Sequence, residues 1–128
     1  MDTKVKFTAL IVDDDEEIGE EISETIELIG GMPVYFANPV TCLEYLRRQC
    51  CAFEVVLVDL AMPSLNGLEF LELAHKQIAS KPAKFILTGL SELGRQEISL
   101  PPDVTLLRKP VSTTEIWEKI GRPFASKR

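Results

Sequence analysis

Apolar and polar residues follow two different patterns along this chain. Short, almost continuous apolar runs are typical of strands that are buried on both faces of a sheet. They predict strands at residues 7–12, 33–37, 55–59, 84–88 and 104–107. The segments between these runs carry apolar residues three or four positions apart, which is the spacing of an amphipathic helix.

The first helical segment, residues 15–29, has one apolar stripe and one acidic face. The stripe consists of isoleucines at helical spacing, Ile18, Ile22, Ile26 and Ile29. Glutamates fill the opposite face, and those near the start suit the positive end of a helix dipole. Gly30 and Gly31 are expected to end this helix.

Further helices are expected after residue 38, after the loop 60–66, over 90–98 and after residue 112. Asn38 followed by Pro39 is typical of a helix start. Ser112 or Thr113 is expected to cap the last helix. Gly121 and Pro123 are expected to end it, so residues 122–128 are interpreted as a flexible tail and 7–121 as the core.

Strands that alternate with helices predict an α/β fold with a parallel sheet covered on both faces. Right-handed crossovers favour a doubly wound, flavodoxin-like sheet with strand order 2-1-3-4-5. With 128 residues, the chain is expected to form a single domain over 1–128.

Charge and cysteine content exclude several classes of function. The net charge of −6 makes direct binding to nucleic acid unfavourable. No apolar stretch reaches the roughly 18 residues of a membrane span, and no signal peptide is recognisable at the start. The three cysteines, Cys42, Cys50 and Cys51, form neither a disulfide framework nor a zinc site, so a cytoplasmic location is expected.

Polar residues of particular types follow the predicted strands. Acids follow the first and third strands, at Asp13, Asp14 and Asp59, while Thr88 and Lys109 follow the fourth and fifth. In a sheet of this order, ligands bind outside the carboxyl ends of the strands, between strands one and three. The ordered set predicts a site for a divalent cation and a phosphoryl group.

These motifs resemble those of the receiver domains of bacterial two-component response regulators. The resemblance covers nearly the whole chain and rests on five segments: Ile11-Val12-Asp13-Asp14, residues 58–63, Asn66-Gly67, Leu87-Thr88-Gly89 and Arg108-Lys109-Pro110. It implies a signalling module rather than an enzyme. A sensor histidine kinase or phosphotransfer protein would be its partner, and Asp59 would be the phosphorylated nucleophile.

The resemblance also assigns the other site residues. Magnesium would be bound directly by Asp14 and Asp59, by the backbone carbonyl of Ala61, and largely through water by Asp13. Lys109 and Thr88 would contact phosphoryl oxygens. The Lys109–Pro110 peptide bond would be cis, and the face formed by the fourth helix, fifth strand and last helix would bind an output partner or a second copy.

Three positions depart from the family pattern. Leu106 occupies a switch position that is usually aromatic, so an aromatic rotamer change cannot couple to Thr88. Ala61 and Leu90 lie two residues after Asp59 and Thr88, where polar side chains in relatives help to orient water. A long-lived phosphorylated form is therefore expected.

Other interpretations remain open at the level of sequence. Asp13 and Asp15 nominally fit a small magnesium-dependent phosphohydrolase of the haloacid-dehalogenase kind, although that reading leaves Asp59 unexplained. Asp15 also suits an ordinary helix start, and His75 suits an exposed surface position. Trp117 fits either the rim of the core or a partner surface.

Overall fold

The computed structural model describes residues 7–49, 52–78, 80–89 and 99–125. Five parallel strands form one sheet in the order β2-β1-β3-β4-β5, which confirms the predicted topology. They are β1 (Phe7–Val12), β2 (Gly31–Phe36), β3 (Val55–Asp59), β4 (Ala83–Thr88) and β5 (Val104–Arg108). The second strand begins at Gly31 rather than at residue 33, and Pro33 is accommodated because β2 is an edge strand.

Helices cover both faces of the sheet. Their bounds are α1 (Glu16–Leu28), α2 (Pro39–Arg48), α3 (Gly67–Ala74), α4 (Thr113–Ile116), a π-helical turn (Trp117–Gly121) and α5 (Arg122–Ala125). Asn38 and Ser112 cap α2 and α4 as predicted. The helix expected over 90–98, with Leu90, lies outside the described residues, as do Cys50 and Cys51.

The alternation of side chains along the strands produces two hydrophobic cores. Ile11, Leu57 and Leu87 face α1 and the last helical segment, while Leu10, Val58 and Ile86 face α2 and α3. Ile22 and Ile26 are fully buried in the first core, and Ile18 and Ile29 pack at its margin. The predicted isoleucine stripe is therefore the contact face of α1.

The prediction that the chain loses its helical structure after residue 121 is wrong for residues 122–125. The π-helical turn absorbs one extra residue, because the backbone N–H of Arg122 bonds to the carbonyl of Trp117. Pro123 is the second residue of α5, which follows the π-helical turn without a break. The ring of Phe124 stacks on that of Phe7, with centroids 4.8 Å apart and planes 9° from parallel.

Among the described residues, no helix combines the length and the apolar character that crossing a membrane requires.

Candidate functional site

The strands end together at one edge of the sheet, and the polar residues predicted from the sequence lie there. Asp13 follows β1, while Asp59 and Thr88 are the last residues of β3 and β4. The sheet ladder continues past these ends, because Leu60 N–H donates to Leu87 O and Lys109 N–H donates to Thr88 O, each at 2.8 Å. These bonds fix the backbone on which the candidate site is built.

Lys109 forms ion pairs with two buried carboxylates. Its Nζ atom lies 3.0 Å from Asp13 Oδ2 and 3.0 Å from Asp59 Oδ1. The lysine side chain is 17% exposed, whereas those of Asp13 and Asp59 are 0% and 6% exposed. Burial alone would lower the pKa of Lys109, but the two carboxylates outweigh it and raise that pKa.

The pKa values of both buried aspartates, Asp13 and Asp59, are raised. Burial, helped by the charges of Asp13 and Asp14, raises the pKa of Asp59 to about 6 against the opposing effect of Lys109. Burial also raises the pKa of Asp13, against the hydrogen bond from Asp15 N–H and the contact with Lys109. The single positive charge of Lys109 therefore does not fully offset the negative charge of these acids.

The acidic cluster of Asp13, Asp14 and Asp59 fits a divalent cation. One carboxylate oxygen from each residue lies within 4.8 Å of the other two. Asp14 is exposed and opens the cluster to solvent. Asp13 Oδ2 is buried and makes no hydrogen bond of standard geometry, despite its nearness to Lys109, so it remains an acceptor for an ion or its bound water. Carboxylate oxygens are the ligands that magnesium and calcium prefer.

Thr88 is fully buried beside this edge of the sheet. Its Oγ1 donates to the carbonyl of Gly89 at 3.3 Å, which is long for a hydroxyl donor. The contact matches the plain interpretation of Thr88 as a strand-end hydroxyl that bonds to the backbone. A contact with a phosphoryl group remains a prediction.

The loop after β3 packs directly against the backbone of Asp59. Gly67 N–H donates to Leu60 O at 2.9 Å, and a Cβ atom at position 67 would lie 2.6 Å from Asp59 O. Glycine is therefore needed there for steric reasons. Ala61, within this loop, is exposed.

The fifth strand and its continuation supply two further predicted positions. The Lys109–Pro110 peptide bond is cis, as the resemblance implied. Leu106 pairs in register with Ile86 and packs, half-buried, against the core under α2 and α3. It lies outside the acidic cluster.

Several alternative roles can be assigned from the contacts. The side chain of Asp15 caps α1 by accepting from Glu17 N–H and Ile18 N–H at 3.1 and 3.3 Å, which is the helix-start role and disfavours a phosphohydrolase centre at Asp13 and Asp15. His75 is exposed. Trp117 is half-buried and packs against the core under α1, as the core-rim interpretation predicts.

Sequence reasoning missed Tyr35. Its hydroxyl donates to the backbone carbonyl of Asp13 at 2.7 Å, from the edge strand β2. Burial, followed by the charges of Asp13 and Glu16, raises the pKa of Tyr35 to about 12. The only sequence signal was a hydroxyl-bearing residue near the end of a strand adjacent to β1.

Comparison with known proteins gives one consistent family. The model of the response regulator receiver domain matches residues 9–121. The chain is 42% identical over 112 residues to a transcriptional regulatory protein, a CpxR homolog from Haemophilus influenzae, covering 87% of this chain and 47% of that protein. It is 24% identical over 114 residues to the response regulator receiver protein CpdR of Brucella abortus, covering 88% of this chain and 92% of that protein. The chain is also 24% identical over 114 residues to YrkP, a transcriptional regulatory protein of Bacillus subtilis. It spans about half the length of this relative and of the one from Haemophilus influenzae, 48% and 47%.

Solved structures agree with this result. A receiver domain protein from Clostridium thermocellum is 25% identical with a TM-score of 0.69, covering 86% of this chain and 87% of that one. The receiver domain of the hybrid histidine kinase CckA has a TM-score of 0.73 at 17% identity, covering 91% and 98%, and so supports the fold alone.

Proposed function

The chain belongs to the response regulator receiver domain family, and we propose that Asp59 is its phosphoacceptor. Receiver domains are signalling modules of two-component systems, so the proposed reaction is one phosphoryl transfer that switches protein contacts. The cytosol, the reducing compartment in which protein cysteines stay as thiols, is the proposed location.

The observation that carries the proposal is the environment of Asp59. Its carboxylate is the last group of a buried central strand, beside Lys109 and within the acidic cluster. A buried structural aspartate would need only one cationic partner, whereas this one also faces the acids Asp13 and Asp14. Perturbed carboxylates of this kind are common where chemistry occurs.

The acidic cluster fits magnesium, with Asp14 and Asp59 as direct ligands, the Ala61 carbonyl as a third and Asp13 acting through water. When bound, the ion would offset the negative charge of the phosphoryl oxygens. The convergence of three carboxylates on one Lys109 ammonium and the exposure of Asp14 support this assignment.

The residues of the chain supply positioning and charge for the transfer. An oxygen of the Asp59 carboxylate attacks phosphorus, the phosphorus–nitrogen bond of a donor phosphohistidine breaks, and its electron pair remains on the imidazole nitrogen. Lys109 holds the Asp59 carboxylate in place and offsets charge on the transferred group. Thr88 Oγ1 exchanges its long bond with Gly89 for a phosphoryl oxygen.

The donor protein would dock beside Lys109. A groove of about 550 Å³ opens there between α1 and the segment after β5, with Ile18, Val111 and Ile116 among its lining residues. Its lining combines apolar side chains with Glu21 and Glu24, and a helix of a histidine kinase or phosphotransfer protein is the proposed occupant. Output contacts, or contacts with a second copy, would use β5, the last helical segment and the predicted helix over 90–98.

Acetyl phosphate tests the chemistry without a kinase. Intact mass should show one added phosphoryl group when magnesium is present and none when a chelator replaces it. Turnover of a generic phosphatase substrate should be absent. Phosphorylation that is equally fast without a divalent ion would contradict the role given to the acidic cluster.

A further inference from the structure

Tyr35 connects the edge strand to the acidic cluster across 22 residues of sequence. Its backbone pairs with Ile11 in the sheet, and its half-buried side chain reaches over the end of β1. There the hydroxyl donates to Asp13 O at 2.7 Å. The proposed phosphorylation mechanism gives Tyr35 no role.

Gly19 provides the space that the tyrosine ring occupies. A Cβ atom at position 19 would overlap the Cε1 and Cζ atoms of Tyr35 and would lie 2.7 Å from its hydroxyl oxygen. Glycine is among the poorest residues for a helix interior, and Gly19 lies within α1. The close approach of the Tyr35 ring gives a physical reason for glycine at this position.

Both backbone polar groups of Asp13 are bonded to β2. Its N–H donates to Phe36 O at 3.2 Å, and its carbonyl accepts from Tyr35. Because a peptide unit is planar, fixing the carbonyl of Asp13 also fixes the direction in which Asp14 begins. The side-chain Oδ1 of Asp13 accepts from Asp15 N–H at 2.9 Å, which completes the turn.

We propose that Tyr35 is a positioning residue for the acidic cluster. Its hydroxyl orients the peptide between Asp13 and Asp14, so that both carboxylates converge with that of Asp59 before an ion binds. This role rests on the proposed binding of magnesium by these three acids. The function of Tyr35 is to lower the cost of arranging the ligands, since a preformed site need not be ordered on binding.

Two variants perturb this contact in different ways. Tyr35→Phe keeps the ring and removes the hydroxyl, while Gly19→Ala keeps the hydroxyl and displaces the ring. Tyr45→Phe is the matched control, because Tyr45 is the other tyrosine of the chain. Tyr45 lies on α2, and its ring packs against that of Phe36. Magnesium affinity is measured by calorimetry, and thermal melting without metal checks that each variant folds.

Tyr35→Phe should bind magnesium roughly three- to tenfold more weakly, the effect of one neutral hydrogen bond. Gly19→Ala should weaken binding in the same direction, and Tyr45→Phe should leave it unchanged. The magnesium concentration for half-maximal phosphorylation by acetyl phosphate should rise in parallel, with the rate at saturating magnesium preserved. A purely structural role would move the melting temperature and neither magnesium measurement.

Unchanged magnesium affinity in folded Tyr35→Phe would overturn this role of Tyr35. An equal loss in Tyr45→Phe would do the same, since the effect would then be unspecific. A parent protein that binds no magnesium would refute the proposed metal site itself, and this inference with it.

Discussion

The ammonium of Lys109 lies 3.0 Å from the carboxylate of Asp59, and equally 3.0 Å from that of Asp13. One positive charge thus serves two buried acids, with Asp14 close by. Without a further cation, the site retains excess negative charge at the end of the central strands. This imbalance connects the stability of the domain to its proposed chemistry.

Removing the charge of Lys109 should lower both the stability of the domain and the rate of its phosphorylation. Lys109→Met leaves two buried carboxylates uncompensated and should cost about 1–3 kcal/mol of unfolding free energy at pH 7, below the range for a fully buried pair because Lys109 is partly exposed. Phosphorylation by acetyl phosphate should slow at least about tenfold, which corresponds to about 1.4 kcal/mol. Urea unfolding and intact-mass time courses measure the two effects.

Lys84→Met is the matched control for this experiment. The Lys84 side chain is 19% exposed, close to the 17% of Lys109, and its Nζ lies 2.9 Å from Asp103. Asp103 is exposed and stays hydrated when its partner is lost, so stability should fall less and phosphorylation should be unchanged. Equal effects of the two substitutions would contradict a special role for Lys109.

Asp59→Asn should stabilise the metal-free domain at neutral pH. The folded protein holds the proton of Asp59 more tightly than the unfolded chain does, because the pKa rises from 3.8 to about 6. The stability contributed by this group is complete below pH 3.8 and is lost as the pH rises through about 6. The gain from Asp59→Asn should therefore be on the order of 1–3 kcal/mol at pH 7 and should vanish near pH 4.

Unfolding curves of both proteins between pH 4 and pH 7, with a chelator present, measure this difference. Asp103→Asn serves as the control, because Lys84 lowers the pKa of that exposed carboxyl and no gain should appear. A gain that does not change with pH would show that Asp59 is not the titrating group.

Ala61→Asn should shorten the lifetime of the phosphorylated form. Ala61 is exposed in the loop two residues after Asp59, where an amide could orient a water molecule for in-line attack. A tenfold faster decay would correspond to about 1.4 kcal/mol of barrier. Decay is followed by mass after removal of the donor, with Ala52→Asn, an exposed position before β3, as control. Equal lifetimes of parent and Ala61→Asn would refute this explanation of a long-lived phosphorylated state.

Phe124→Ala should destabilise the domain, because its ring stacks on Phe7 beyond the expected end of the last helix. Loss of a half-buried aromatic contact should lower the unfolding free energy by about 1–3 kcal/mol. Leu28→Ala, at a side chain that is 77% exposed, should change it little. No loss in Phe124→Ala, measured by urea unfolding, would indicate that residues 122–125 contribute nothing to the core.

Strand positions combined with the common strand order of doubly wound sheets predicted that Asp13 and Asp59 meet, while the family resemblance singled out Lys109. Buried parallel strands are nearly continuous apolar runs, and the first polar residue after each run marks its carboxyl end. Once the strand order is known, these ends must lie side by side. The site could therefore be predicted from positions along the chain without any knowledge of side-chain contacts.

Contacts that depend on shape could not be predicted in this way. The bond from Tyr35 to Asp13 and the stacking of Phe124 on Phe7 join distant residues whose spacing follows neither helical nor strand periodicity. The π-helical turn before Pro123 shifts the backbone register by one residue, which no propensity rule anticipates. Gly121 and Pro123 therefore predicted that the helix ends near residue 121. With the shifted register, the helical segment continues to Ala125.

Asp59 is proposed to receive the phosphoryl group, and intact mass after incubation with acetyl phosphate and magnesium is the decisive measurement. The parent protein should gain one phosphoryl group, and peptide mapping should place it on the segment that contains Asp59. Asp59→Asn, which keeps the shape of the side chain but lacks the nucleophilic carboxylate, should gain none under the same conditions. A phosphoryl group acquired by Asp59→Asn at the parent rate would contradict the account.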